Sequence, residues 1–109
     1  MNTISEISND SARNFLNHNN FKRSNTKVVS SPERTEMYLF GNLIAWIDRK
    51  GNPNIINLSH CGWLTPTTKS RLNAIIGPKI KQKDFEWYLS DKKWNGTKVK
   101  FNKQTGEVQ

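Results

Sequence analysis

At 109 residues the chain suits one domain, and its 34% hydrophobic content is low but adequate if part of the chain stays outside the core. Seventeen Lys and Arg against nine Asp and Glu give a formal charge of +8 and a pI near 9.9, a balance that favours polyanionic partners through counterion release. No apolar run approaches the ~18 residues of a membrane span, the start lacks the regions of a signal peptide, and a single cysteine, Cys61, can form no internal disulfide, so a soluble cytoplasmic protein with no membrane partner is expected.

Residues 1–26 are rich in Asn and Ser, with scattered apolar residues Ile4, Ile7, Phe15 and Leu16. A short helix can begin after Asp10 or Ser11 and carry Ala12, Phe15 and Leu16, and the Asn17 to Asn20 run would end it. The composition predicts a mobile N-terminal arm outside the core, able to fold onto a partner.

A single α+β domain is predicted over residues 27–103, with a short tail at 104–109. Lys27-Val28-Val29 is β-prone, and Arg34 to Phe40 alternates as a strand. A tight turn at Gly41-Asn42 leads to Leu43–Ile47, which is apolar on both faces and therefore suits the centre of a sheet. A second turn at residues 49–53 precedes a strand over Asn54–Leu58, and the three strands make an antiparallel β-meander.

His60 and Cys61 are adjacent, which invites thought of a thiol nucleophile or a metal site. Neighbouring strand residues point to opposite faces, however, no second ligand cluster exists, and His18 lies in the arm. A structural role is expected for both, with no catalytic residue, metal or cofactor assigned. Asp48, Asp84 and Glu86 are the carboxylates nearest strand ends, and nothing in the sequence pairs them with a base or nucleophile. A nuclease site assembled from distant carboxylates stays open on sequence alone.

One central α-helix is predicted over about 66–76. Thr65 can cap it, with Thr67 or Thr68 as alternatives, Pro66 suits the first helical position, and Gly77-Pro78 stops it. Leu72, Ile75 and Ile76 form its apolar stripe, which leaves Lys69, Ser70, Arg71 and Asn73 facing water or a partner. Thr67, Thr68, Lys69 and Arg71 at the N-terminal end suit an anion, although a capped helix with a solvated polar face is the commoner meaning of this pattern.

Lys79 to Leu89 sets three lysines and then Phe85, Trp87 and Leu89 on one parity, which is awkward for a core unless a bulge or bend near Lys83-Asp84 turns the face. Ser90 to Lys93 makes a turn, Asn95-Gly96 turns again, and Thr97 to Phe101 alternates Val99 and Phe101 with Lys98 and Lys100, completing a C-terminal β-hairpin. Between Lys79 and Lys103 eight lysines stand against Asp84, Glu86 and Asp91. Such a surface with exposed aromatics suits a phosphate backbone, while the plainer reading has lysines guarding strand edges and Trp46, Trp63, Trp87 and Trp94 in or near the core.

The segments NTKV (Asn25–Val28), MYLFGNLIAWID (Met37–Asp48), CGWLTPTTKSRLNAII (Cys61–Ile76) and FEWYL (Phe85–Leu89) together resemble a family of short tailed-bacteriophage proteins, TTKSRLN being the most specific piece. The resemblance implies a viral protein acting in a bacterial cytoplasm, and it supplies no catalytic residues. The resulting expectation is a non-enzymatic phage protein that binds DNA or RNA mainly through phosphate contacts from Thr67, Thr68, Lys69, Arg71, Lys79, Lys81, Lys83, Lys98 and Lys100. The alternative is a protein-binding inhibitor or modulator of a host enzyme or antiviral defence system, using the arm and one sheet edge. An exposed edge strand would also make a homodimer easy to form.

Overall fold

The computed structural model describes residues 3–60, 62, 65–84 and 86–108, with side chains from Glu6 onward; Cys61, Trp63 and Phe85, and the expectations placed on them, lie outside the described residues. Helix α1 (Thr3–Leu16) is followed by strands β1 (Phe21–Arg23), β2 (Thr26–Ser30), β3 (Arg34–Leu39), β4 (Asn42–Asp48) and β5 (Ile55–Leu58). Helix α2 (Pro66–Ile76) then precedes β6 (Ile80–Lys83), β7 (Glu86–Leu89), β8 (Lys92–Lys93) and β9 (Val99–Asn102). The fold is α+β, with antiparallel strands in a six-stranded sheet of order β1-β2-β3-β4-β5-β9 and a three-stranded sheet of order β6-β7-β8.

The meander β3-β4-β5 forms as its alternation dictates, and β4 lies inside the sheet. Thr35, Met37 and Leu39 of β3 are buried while Arg34, Glu36 and Tyr38 are only partly so, the period of two expected of a half-covered strand. The β3-β4 loop is Phe40-Gly41, one residue earlier than Gly41-Asn42, and both residues adopt positive φ (50° and 81°), as a two-residue hairpin loop requires. On the inner face Val28, Met37, Leu39, Ala45, Ile47, Ile56, Leu58 and Phe101 join Ala12, Phe15, Leu72, Ile75 and Ile76 of the helices in one core.

The expectation of an arm outside the core is corrected: Ile7, Ala12 and Phe15 of α1 are buried, and Phe21 of β1 packs against the core. Ile7, Ser8, Ser11, Ala12 and Phe15 recur at helical spacing, but two of the five are serines, so hydropathy alone shows no stripe. Their hydroxyls find partners within the fold. Ser11 Oγ donates to the Ser8 carbonyl (3.0 Å), and Ser8 Oγ meets Ser70 Oγ at 2.7 Å across the helix pair. Helix α2 is thus one of two.

Residues 79–89 form a hairpin rather than one bent strand. Asp84 turns with φ 53°, and Lys83 pairs with Glu86. The turn brings Ile80, Trp87 and Leu89 to the buried face and leaves Lys81 and Lys83 exposed, which resolves the parity conflict. The C-terminal strand departs from the expected pairing: Val99–Asn102 crosses to the far edge of the large sheet and pairs with β5, placing Phe101 in the core. Val108, in the expected tail, bridges back to Phe101.

Candidate nucleic-acid interface

Helix α2 begins as predicted. Thr65, with extended backbone, accepts from the Thr68 N–H (3.2 Å), and Gly77 at φ 91° ends the helix with its N–H on the Asn73 carbonyl. Part of its polar face, however, is internal. Arg71 is 1% exposed, its Nε donating to Thr26 Oγ1 (2.8 Å), Nη1 to Ser8 Oγ (2.6 Å) and Nη2 to Asn25 Oδ1 (3.2 Å). Burial holds its pKa below the usual arginine value. Thr68 is fully buried with its hydroxyl on Thr65 Oγ1 (3.0 Å). Asn73 clamps the start of β6, donating to the Ile80 carbonyl (3.0 Å) and accepting from the Ile80 N–H (2.9 Å).

Arg71 and Thr68 are therefore corrected from surface contacts to parts of the framework joining α2 to α1 and β2. The helix start spends a donor on its own cap, and Thr67 and Lys69 remain there only half-buried.

The remaining predicted cations fall on two sheets. On the small sheet the register Lys83↔Glu86, Lys81↔Tyr88↔Lys93 sets three lysines around a half-exposed tyrosine on the solvent face. Lys93 pairs with Glu86 (2.8 Å), and this hydrogen bond raises its pKa. Lys81 and Lys83 are exposed, with no ion pair among the described residues.

On the large sheet, the face away from the helices carries Val29, Glu36, Trp46, Asn57 and Lys100 in one cross-strand row. Trp46 is half-buried there, with the Arg34 guanidinium 5.2 Å and the Lys98 ammonium 5.6 Å from its ring. Arg34 is also within 3.5 Å of Glu36 and 3.6 Å of Asp48. On the same face Tyr38 lies beside Glu36, and burial, followed by that carboxylate, raises its pKa. Lys79 stands apart, over the Phe101 ring at 5.9 Å. A cleft of about 450 Å³ lined by Leu89, Lys92, Lys93, Trp94, Val99 and Val108 lies where β8 borders β9.

Sequence reasoning placed Lys98 and Lys100 on a face by alternation but missed Arg34, which shares the Trp46 ring with Lys98, and missed Tyr88 between Lys81 and Lys93 on the small sheet. The signal was available: Arg34 and Trp46 share the outward parity of their strands. Of the tryptophans expected in or near the core, Trp87 and Trp94 are buried (3% and 6% exposed) and enclose His60, whose ring centroid lies 5.5 Å from each.

His60 Nδ1 accepts from the Gly62 N–H (2.9 Å), while its Nε2 and Trp87 Nε1 find no hydrogen-bond partner among the described residues. Burial pushes the His60 pKa down, against the opposite pull of nearby backbone carbonyls of His60 and Asn95. Asp48 and Glu86 are ion-paired and Asp84 sits in a turn, so these three carboxylates do not converge through any contact among the described residues.

No curated protein and no solved structure matches the chain. The Kyanoviridae Gp96 protein family matches over residues 4–107, which takes in α1 from its second residue, α2 and strands β1 to β9. The chain belongs to that family of phage proteins, to which no function is assigned.

Proposed function

We propose that this protein is a non-enzymatic nucleic-acid binder acting in the host cytoplasm, holding the phosphate backbone through lysines of its two sheets. One observation carries the reading: among the described residues, six of the nine acidic side chains are occupied in ion pairs, and of the eight lysines between Lys79 and Lys103 only Lys93 is among their partners. The excess charge is thus concentrated and uncompensated rather than spread evenly. Phosphates neutralise such lysines with release of condensed counterions, and half-exposed Trp46 and Tyr88 beside them offer stacking surfaces.

The alternative, a protein-binding modulator of a host enzyme or defence system, uses the arm and one sheet edge as its contact surface, and of these the arm's apolar residues are spent in the core.

The test is fluorescence anisotropy with labelled single- and double-stranded DNA and RNA at two salt concentrations. Binding that weakens steeply with salt is expected. Lys81→Ala with Lys83→Ala should weaken it for all sequences alike and reduce the salt slope by about 1 per contact. No binding at low salt, or binding indifferent to those changes and to Lys98→Ala with Lys100→Ala, would overturn the reading.

A further inference from the structure

We infer that His18, Arg49 and Lys103 form a phosphate-binding corner at one rim of the large sheet, separate from the two lysine faces of the proposed function. The antiparallel topology gathers them there. This rim collects the end of β2 at Ser30, the start of β3 at Arg34, the end of β4 at Asp48, the start of β5 at Ile55 and the end of β9 at Asn102. Arg49 and Lys103 follow β4 and β9 by one residue, and His18 follows α1 with φ 58°.

The corner is built by a hydrogen-bonded chain. Arg49 Nη1 donates to the Ser31 carbonyl (2.8 Å) and to Ser30 Oγ (3.3 Å), Ser30 Oγ lies 3.0 Å from Thr35 Oγ1, and Thr35 Oγ1 lies 2.7 Å from His18 Nδ1. A guanidinium can only donate. Ser30 accepts from Arg49, and in the arrangement where Ser30 donates to Thr35 and Thr35 to Nδ1 the His18 proton sits on Nε2. The corner then presents an imidazole N–H, a guanidinium fixed by two bonds, and an ammonium. All are donors.

Nearby acids are engaged elsewhere: Glu33 with Lys50 at 3.3 Å and Asp48 with Arg34 at 3.6 Å. The electrostatics agree, since burial first, and then Arg49 and Lys103, hold His18 below the ordinary histidine pKa. A donor-only, positive corner of this kind is complementary to a phosphate group, whether a free anion or part of a nucleic-acid backbone.

The experiment is an NMR pH titration of both histidines in chloride buffer, repeated with inorganic phosphate, with sulfate, and with a short oligonucleotide lacking terminal phosphates. Phosphate or sulfate should raise the His18 pKa saturably by about one unit, the low end of what an opposite charge within ~4–6 Å produces. His60, enclosed by Trp87 and Trp94, should not move. Arg49→Gln with Lys103→Gln should abolish the shift in a protein whose spectrum stays folded. A response to the inorganic anions alone assigns a free anion as ligand; a response to the oligonucleotide assigns the phosphodiester. A His18 pKa unmoved by every probe, or moved equally in the double variant, overturns the corner. Salt-sensitive oligonucleotide binding with a silent His18 removes only this inference, while a responsive His18 in a protein indifferent to the sheet-lysine substitutions removes only the sheet interface.

Discussion

Arg71 shows how far one residue's role depends on what packs against it. In a linear reading it is a cation on the polar side of α2; in the fold it links Ser8 of α1, Asn25 and Thr26. Arg71→Ala should lower the unfolding free energy by about 3–5 kcal/mol, because it strands buried polar partners and empties a large side-chain volume. Lys69→Ala, at a half-buried position with no ion pair, should change it by less than about 0.5 kcal/mol. Urea denaturation of the two variants decides it, and equal small effects would return Arg71 to the surface. The apolar stripe Leu72, Ile75, Ile76 was legible from spacing alone. The destination of Arg71 was not, because its partners lie 45 or more residues away in sequence and are themselves polar.

At the level of elements, segments whose local chemistry agrees with their environment were readable: the meander by alternation, α2 by its Thr65 cap and Gly77 stop. The elements missed were those that obey another signal. Helix α1 buries serines beside Phe15 because two helices approach closely there, and the hydroxyls bond across the gap. The β6-β7 turn carries Asp84 in a left-handed conformation without a glycine to announce it. Strand β9 pairs with β5, more than forty residues earlier, and no local pattern encodes that choice. Phe15→Ala tests whether α1 belongs to the core. A loss of about 3–5 kcal/mol in urea denaturation is expected for a fully buried ring, whereas a free arm would register almost none.

For the molecule as a whole, both described histidines favour the neutral form in the fold, through burial above all. The unfolded chain takes up protons near pH 6.5 while the folded chain resists, so stability should be level above about pH 7 and fall as pH drops below about 6.5. Urea midpoints at pH 7.5 and 5.5 in chloride buffer check the sign, and a midpoint that rose on acidification would contradict it.

The route of the chain sets a further condition. Ser8 reaches Ser70 and Arg71, and Val99–Asn102 completes the sheet begun upstream, so neither half of the sequence contains a closed layer. Pairings this distant carry a larger entropic cost of loop closure than the consecutive hairpins of the sheet, which slows the search for the native state. Until β9 arrives, the outer edge of β5 stays open, and during that interval the nascent molecule is most exposed to joining a copy of itself.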